Sequence, residues 1–144
     1  MPTHTYGTFT KALAAGKLEP AYYFLGAENV LKDEATTALL DKVLDPGLRD
    51  FNLDIRSAQQ LEPEDVLSLC TTLPMMADRR VVVVRDVEAW KRKTRGKKAV
   101  LEYLEKPIPE TLLVLVQGAA SDAKDDKPDT DLAKHAYTIA FAEL

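Results

Sequence analysis

Residues 26–33, Gly-Ala-Glu-Asn-Val-Leu-Lys-Asp, overlay the pattern G-x-x-x-x-G-K-[ST], in which backbone amides of a glycine-rich loop surround phosphate and the lysine reaches the outer phosphates. Gly26 stands at the first glycine and Lys32 at the lysine. Two positions that this chemistry requires then fail. Leu31 replaces the glycine that lets the backbone close on phosphate, and Asp33 replaces the hydroxyl that ligates magnesium. Glu28 and Asp33 also place negative charge where phosphate would sit, a repulsion one lysine only partly offsets. The stretch reads as a degenerate phosphate loop, and we expect no nucleotide, other cofactor or metal there. Asp86 follows a valine run and reads either as a magnesium-binding carboxylate at a strand end or as a solvated strand end, with the second reading favoured.

Other groups that do chemistry do not assemble. His4 and His135 lie far apart with no partner at ligand or triad spacing, and no serine or cysteine sits in a nucleophile motif. Cys70 is the single cysteine, so an internal disulfide and a cysteine-type metal site are both excluded. The acidic stretch 122–131 lacks the glycine and terminal glutamate of a calcium loop and is interrupted by Pro128. The chain therefore reads as a non-enzyme. Residues 91–98, Lys-Arg-Lys-Thr-Arg-Gly-Lys-Lys, follow Trp90 and read as a solvated basic surface, with weak contact to DNA phosphates as the other reading.

A different kind of chemistry is offered by residues 73–80, Leu-Pro-Met-Met-Ala-Asp-Arg-Arg. Met75 and Met76 are flexible, polarizable side chains suited to an irregular apolar pocket. By residue type alone they read as core, yet Pro74 and the polar residues that follow make the segment a loop. Leu73 reads as the last residue of a helical stripe packing behind that loop, or as part of a plug with the methionines. Arg79 and Arg80 either meet acids on a partner or cap the next strand and hold the loop.

These residues need elements to position them. Residues 21–25, Ala-Tyr-Tyr-Phe-Leu, end at Gly26 and read as a buried strand, after a helical opening over 8–17. The spacing of Leu31, Ala35, Ala38, Leu39 and Val43 predicts a helix with these on its buried side, and Lys32, Asp33, Thr36, Thr37 and Asp41 opposite, stopped by Asp45-Pro46-Gly47. Residues 51–55 alternate as a second strand. A second helix after Pro63 presents Val66, Leu69, Cys70 and Leu73 on one face. The β-branched run 81–84 is apolar on both faces and belongs at the centre of a parallel sheet. A helix around 97–106, a strand over 111–117, a surface loop over 121–131 and a last strand over 137–144 complete the pattern. Strands alternating with helices predict a three-layer α/β fold with a parallel sheet.

At 144 residues, with 46% hydrophobic and 29% charged residues, the chain suits one globular domain and neither a disordered nor a membrane protein. A net charge of −4 excludes a surface wholly devoted to nucleic acid. No apolar leader follows the first residues, so we expect a cytoplasmic protein. The chain stops at the end of a strand, which leads us to expect that residues 1–144 are one domain of a longer protein.

Taken in order, Tyr-Tyr-Phe-Leu-Gly-Ala-Glu at 22–28, the strand at 51–55, Leu-Pro-Met-Met-Ala-Asp-Arg-Arg-Val-Val-Val-Val at 73–84 and the helix and strand over 101–116 resemble the amino-terminal domain of the delta subunit of the bacterial DNA polymerase III clamp loader. The likeness covers essentially the whole chain. It implies an AAA+-like, P-loop NTPase-type fold that does not hydrolyse ATP. It also implies a partner, the beta sliding clamp, bound and opened for loading onto primed DNA, and further loader subunits (gamma/tau and delta prime) engaged through other domains. In that family a pair of hydrophobic residues, commonly Leu-Phe, enters a pocket on the clamp. The pair falls on Met75 and Met76, with Leu73 beside it, so thioethers stand where the family commonly has a ring. The rival reading is a residual nucleotide-binding ATPase domain using Lys32 and Asp86.

Overall fold

The computed structural model describes residues 3–26, 29–118 and 129–141. A six-stranded, wholly parallel sheet runs in the order β1-β6-β2-β5-β4-β3. Its strands are β1 (Thr3–His4), β2 (Ala21–Leu25), β3 (Leu53–Ser57), β4 (Arg80–Arg85), β5 (Thr111–Val116) and β6 (Tyr137–Ala140). The helices are α1 (Tyr6–Ala14), α2 (Asn29–Val43), α3 (Arg49–Asn52), α4 (Asp65–Thr71), α5 (Thr94–Glu105) and α6 (Thr130–His135), with a 3-10 turn at Val87–Trp90.

Strands apolar on both faces need helices on both sides, and the core divides accordingly. Tyr22, Phe24, Val81, Val83, Leu112 and Val114 meet α1 and α2 through Phe9, Leu13, Ala35 and Leu39. Tyr23, Val82, Val84, Leu113 and Leu115 meet α4, α5 and α6 through Val66, Cys70, Val100, Leu104 and Leu132. The predicted three layers are thus present. Trp90 is wholly buried in the second cluster, and its indole N–H donates to the Leu61 carbonyl at 2.9 Å.

Several expectations need correction. The buried face of α2 carries Lys32, Ala35, Thr36, Leu39 and Leu40, so Lys32 and Thr36 leave the polar side on which periodicity places them. The strand expected at 51–55 begins at Leu53, because Phe51 and Asn52 belong to the single turn of α3. Its alternation is inverted there, with Phe51 exposed and Asn52 buried. The valine run is interior rather than central, since only β3 lies outside β4. Helix α4 stops at Thr71, so Leu73 does not continue its stripe. Helix α6 starts within the segment read as a surface loop, where Asp129 accepts from the amides of Asp131 and Leu132. The acidic residues 122–128 lie outside the described residues.

Candidate functional site

In a parallel α/β sheet, ligands bind at the carboxyl edge where the strand order reverses. Here that point is β2, flanked by β5 on one side and β6 on the other, and the degenerate loop follows it directly. Gly26 has φ 113°, and a Cβ placed on it would lie 2.2 Å from the Phe141 carbonyl oxygen. The glycine therefore serves the close approach of β2 to the end of β6. Lys32 is only 1% exposed. Its ammonium donates to the Gly26 carbonyl at 2.7 Å and to the Gln117 carbonyl at 2.5 Å, joining the ends of β2 and β5. A lysine that would reach phosphate is instead turned into the sheet's edge. Leu31 is half-buried against the first core cluster, and Asp33 is exposed on α2. Glu28 lies outside the described residues.

The same edge carries a second network. The Tyr23 hydroxyl donates to Gln117 Oε1 and accepts from the Asp129 amide at 2.9 Å, and Lys97 pairs with Asp129 at 2.7 Å. Asp86 is left-handed at φ 59° and accepts from the Ser57 hydroxyl at 3.4 Å. Among the described residues no group of three or more His, Cys, Asp or Glu side chains could hold a metal ion. Of the basic stretch, Lys93 pairs with Glu62 at 2.8 Å, while Lys91, Arg92, Arg95 and Lys98 are exposed.

The methionine loop lies at the opposite, amino edge, because it feeds the start of β4. The six residues of β4 put roughly 20 Å between the two edges. Leu73 is 74% exposed, Met75 56% and Met76 87%. Three large apolar side chains in four positions thus face solvent on one loop, contrary to the core reading of the methionines and to Leu73 packing behind them. Such clustering marks an interaction surface more often than chance exposure does.

The loop is exposed but its frame is held. Arg80 is buried, forms an ion pair with Asp54, and donates from Nε to the Leu69 carbonyl at 3.1 Å. The Thr111 hydroxyl donates to the Cys70 carbonyl at 2.8 Å. The last carbonyls of α4 are thereby capped by the strands on which the helix rests. Arg80 ties the end of α4 to β3, whereas Arg79 lines a groove of about 230 Å³ with Leu18, Glu19, Pro20, Pro107 and Pro109. Met76 has φ 56°, a conformation that costs a residue with a side chain about 1–2 kcal/mol.

Asn52, which drew no attention in the sequence, reaches this loop. It is wholly buried, donates to the Met75 carbonyl at 2.9 Å and to the Leu48 carbonyl at 3.0 Å, and accepts from the Met75 amide at 2.6 Å. A polar residue between Phe51 and Leu53 looks like the solvent face of a strand, and no local signal marks a bond to a residue 23 positions away. Cys70, near the end of α4, is also buried in the core, and desolvation pushes its thiol up to about 12, which keeps it protonated at neutral pH.

The sequence profile of the family described as DNA polymerase III, delta subunit, matches residues 22–141. The chain belongs to that family. It is 29% identical over 140 residues to DNA polymerase III subunit delta of Bacillus subtilis, covering 93% of this chain and 40% of that protein. It is also similar to the solved Bacillus subtilis DNA clamp loader delta protein, with a TM-score of 0.83 and 26% identity over 97% of this chain and 43% of the other. The chain therefore spans about two fifths of the length of these relatives. At the level of fold alone it resembles the P-loop NTPase domain of a sigma-54 activator from E. coli, with a TM-score of 0.54 and 15% identity over 96% of this chain and 94% of that one. The fold is of the P-loop NTPase, AAA+-like type. Among the described residues no helix is long and apolar enough to cross a membrane.

Proposed function

We propose that this domain is the clamp-binding module of a clamp loader, gripping the beta sliding clamp through Met75 and Met76, with Leu73 beside them, and helping to open the ring for loading onto primed DNA. The observation that carries this reading is the exposure of these three apolar side chains on a loop whose backbone is held by hydrogen bonds. An apolar plug that has no core to fill gains free energy only when a partner covers it. Each methionine buried in a pocket contributes roughly 1.5–3 kcal/mol before ordering costs. That suits a complex that must form and then release.

In this reading the domain supplies leverage and no catalysis. ATP is bound and hydrolysed by other loader subunits, of the gamma/tau type, and these and delta prime are engaged through parts of the relatives that extend beyond the region matched here. The work takes place in the cytoplasm, where the chromosome is copied. The occupied Lys32 ammonium, Leu31 in place of glycine and Asp33 in place of a hydroxyl support the absence of nucleotide chemistry. The exposed Lys91, Arg92, Arg95 and Lys98 offer at most a weak, salt-dependent contact to DNA backbone.

Calorimetric titration of the chain into the beta clamp, beside a Met75→Ala/Met76→Ala variant checked by circular dichroism, tests the proposal. Binding by the wild type and its loss in the folded variant are expected. Equal binding by both would place the contact elsewhere. Micromolar binding of a labelled ATP analogue with magnesium, abolished by Lys32→Ala, would favour the residual ATPase reading instead.

A further inference from the structure

We infer that Asn52 is a positioning residue for the methionine loop, holding it in its clamp-binding shape before the clamp arrives; the inference rests on the clamp-binding reading of Met75 and Met76. The side-chain amide of Asn52 satisfies both backbone polar groups of Met75, accepting from its N–H at 2.6 Å and donating to its carbonyl at 2.9 Å. This is the two-bond exchange that one residue of an antiparallel strand makes with another, supplied here by a side chain. The remaining amide hydrogen goes to the Leu48 carbonyl at 3.0 Å, so the amide is itself fixed to the turn of α3.

What is held is the backbone of one plug residue and, through it, the left-handed turn at the other. Met76 has φ 56° and is the most exposed large apolar residue among those described. A loop joining α4 to β4 with no such tether would leave that conformation for commoner ones, and only a fraction of molecules would present both thioethers together. When the competent form is a fraction of the population, apparent affinity falls by that fraction. Asn52 thus removes from the binding step an ordering cost that is met when the domain folds.

A positioning role and a contact role separate kinetically. Losing contacts in the complex mainly speeds dissociation, whereas losing the competent population slows association. The test is rapid-mixing binding of the full chain to the beta clamp, with Asn52→Leu, Asn52→Asp and Met75→Ala/Met76→Ala, and amide exchange followed at Met75. Asn52→Leu keeps the branched side-chain shape, somewhat enlarged, without the hydrogen bonds, and about tenfold slower association with little change in dissociation is expected. The Met75 amide should exchange faster in that variant while the β4 amides stay protected. Met75→Ala/Met76→Ala should instead dissociate faster.

An unchanged association rate in a folded Asn52→Leu chain, with binding still lost in the double methionine variant, overturns the positioning role and leaves the plug standing. Wild-type binding by the double methionine variant overturns the plug, and the role of Asn52 with it. If Asn52→Leu does not fold, Asn52→Asp, which keeps only the acceptor for the Met75 amide, carries the same rate comparison. A wild-type Met75 amide that exchanges as fast as an unstructured peptide overturns the inference without any variant.

Discussion

Replacing Lys32 by alanine separates a lysine that serves phosphate from one that serves the fold. In the structure the side chain is 1% exposed, and its ammonium bridges the carbonyls of Gly26 and Gln117 at 2.7 and 2.5 Å. Truncation removes this donor from two strand-end acceptors, each costing about 1–3 kcal/mol when left buried without a partner. It also removes most of a packed aliphatic stem, at about 0.8 kcal/mol per methylene. Against this, an ammonium no longer has to be taken out of water, which returns several kcal/mol. The net expectation is a loss of about 2–4 kcal/mol, or a fall of roughly 7–13 °C in the unfolding midpoint for a chain of this size. Differential scanning calorimetry measures it directly. Lys32→Met, which keeps the stem and loses the charge, should fall between the two and apportion packing against hydrogen bonding. A Lys32→Ala midpoint within about 2 °C of the wild type would refute the buried bridge. Were that variant also to lose nucleotide binding, the lysine would belong to phosphate after all.

The Met75→Ala/Met76→Ala variant should weaken clamp binding by about 2–4 kcal/mol, roughly thirtyfold to a thousandfold in Kd, since the exposed parts of both side chains are what the clamp would bury. Its folding stability should change by no more than about 0.5 kcal/mol, as for other surface sites, and the wild-type titration should show a negative heat-capacity change. Gly26→Ala should cost more than about 3 kcal/mol in guanidinium unfolding, because its Cβ would meet the Phe141 carbonyl oxygen at 2.2 Å in a backbone conformation that glycine favours. Stability should also fall at alkaline pH. Burial pushes Cys70 up to about 12 from an ordinary 9.0, and Tyr22, Tyr23 and Tyr103 up to about 12 from 10.0. The unfolded chain then releases these protons first, so their contribution is intact below pH 9 and is lost as pH rises toward 12. A denaturation midpoint that stays level across that window would contradict this burial.

The layers of the fold were legible because their signals are local and repeated. A short apolar run such as Val81–Val84 or residues 111–116, too brief for a helix and flanked by polar residues, reads as a strand covered on both faces, and helices do the covering. The short elements were not legible. A single turn such as α3 has no period to detect, so Phe51 and Asn52 were absorbed into the alternation of the strand that follows them. Periodicity also misplaced Lys32, since hydropathy treats an ammonium as solvent-seeking whether or not carbonyls await it.

The candidate site divides along the same line. Sequence alone determined that the phosphate loop lacks its second glycine and its hydroxyl, and that a proline-led pair of methionines precedes a buried strand, because these are facts of residue type at fixed spacing. Whether the methionines are core or surface was left to the tertiary structure. It decided that α4 ends at Thr71, that Leu73, Met75 and Met76 face water, and that Asn52 holds the Met75 backbone. It likewise closed the carboxyl edge with Lys32. Each of these depends on bonds between residues far apart in the chain, and only the packed sheet brings such partners within reach.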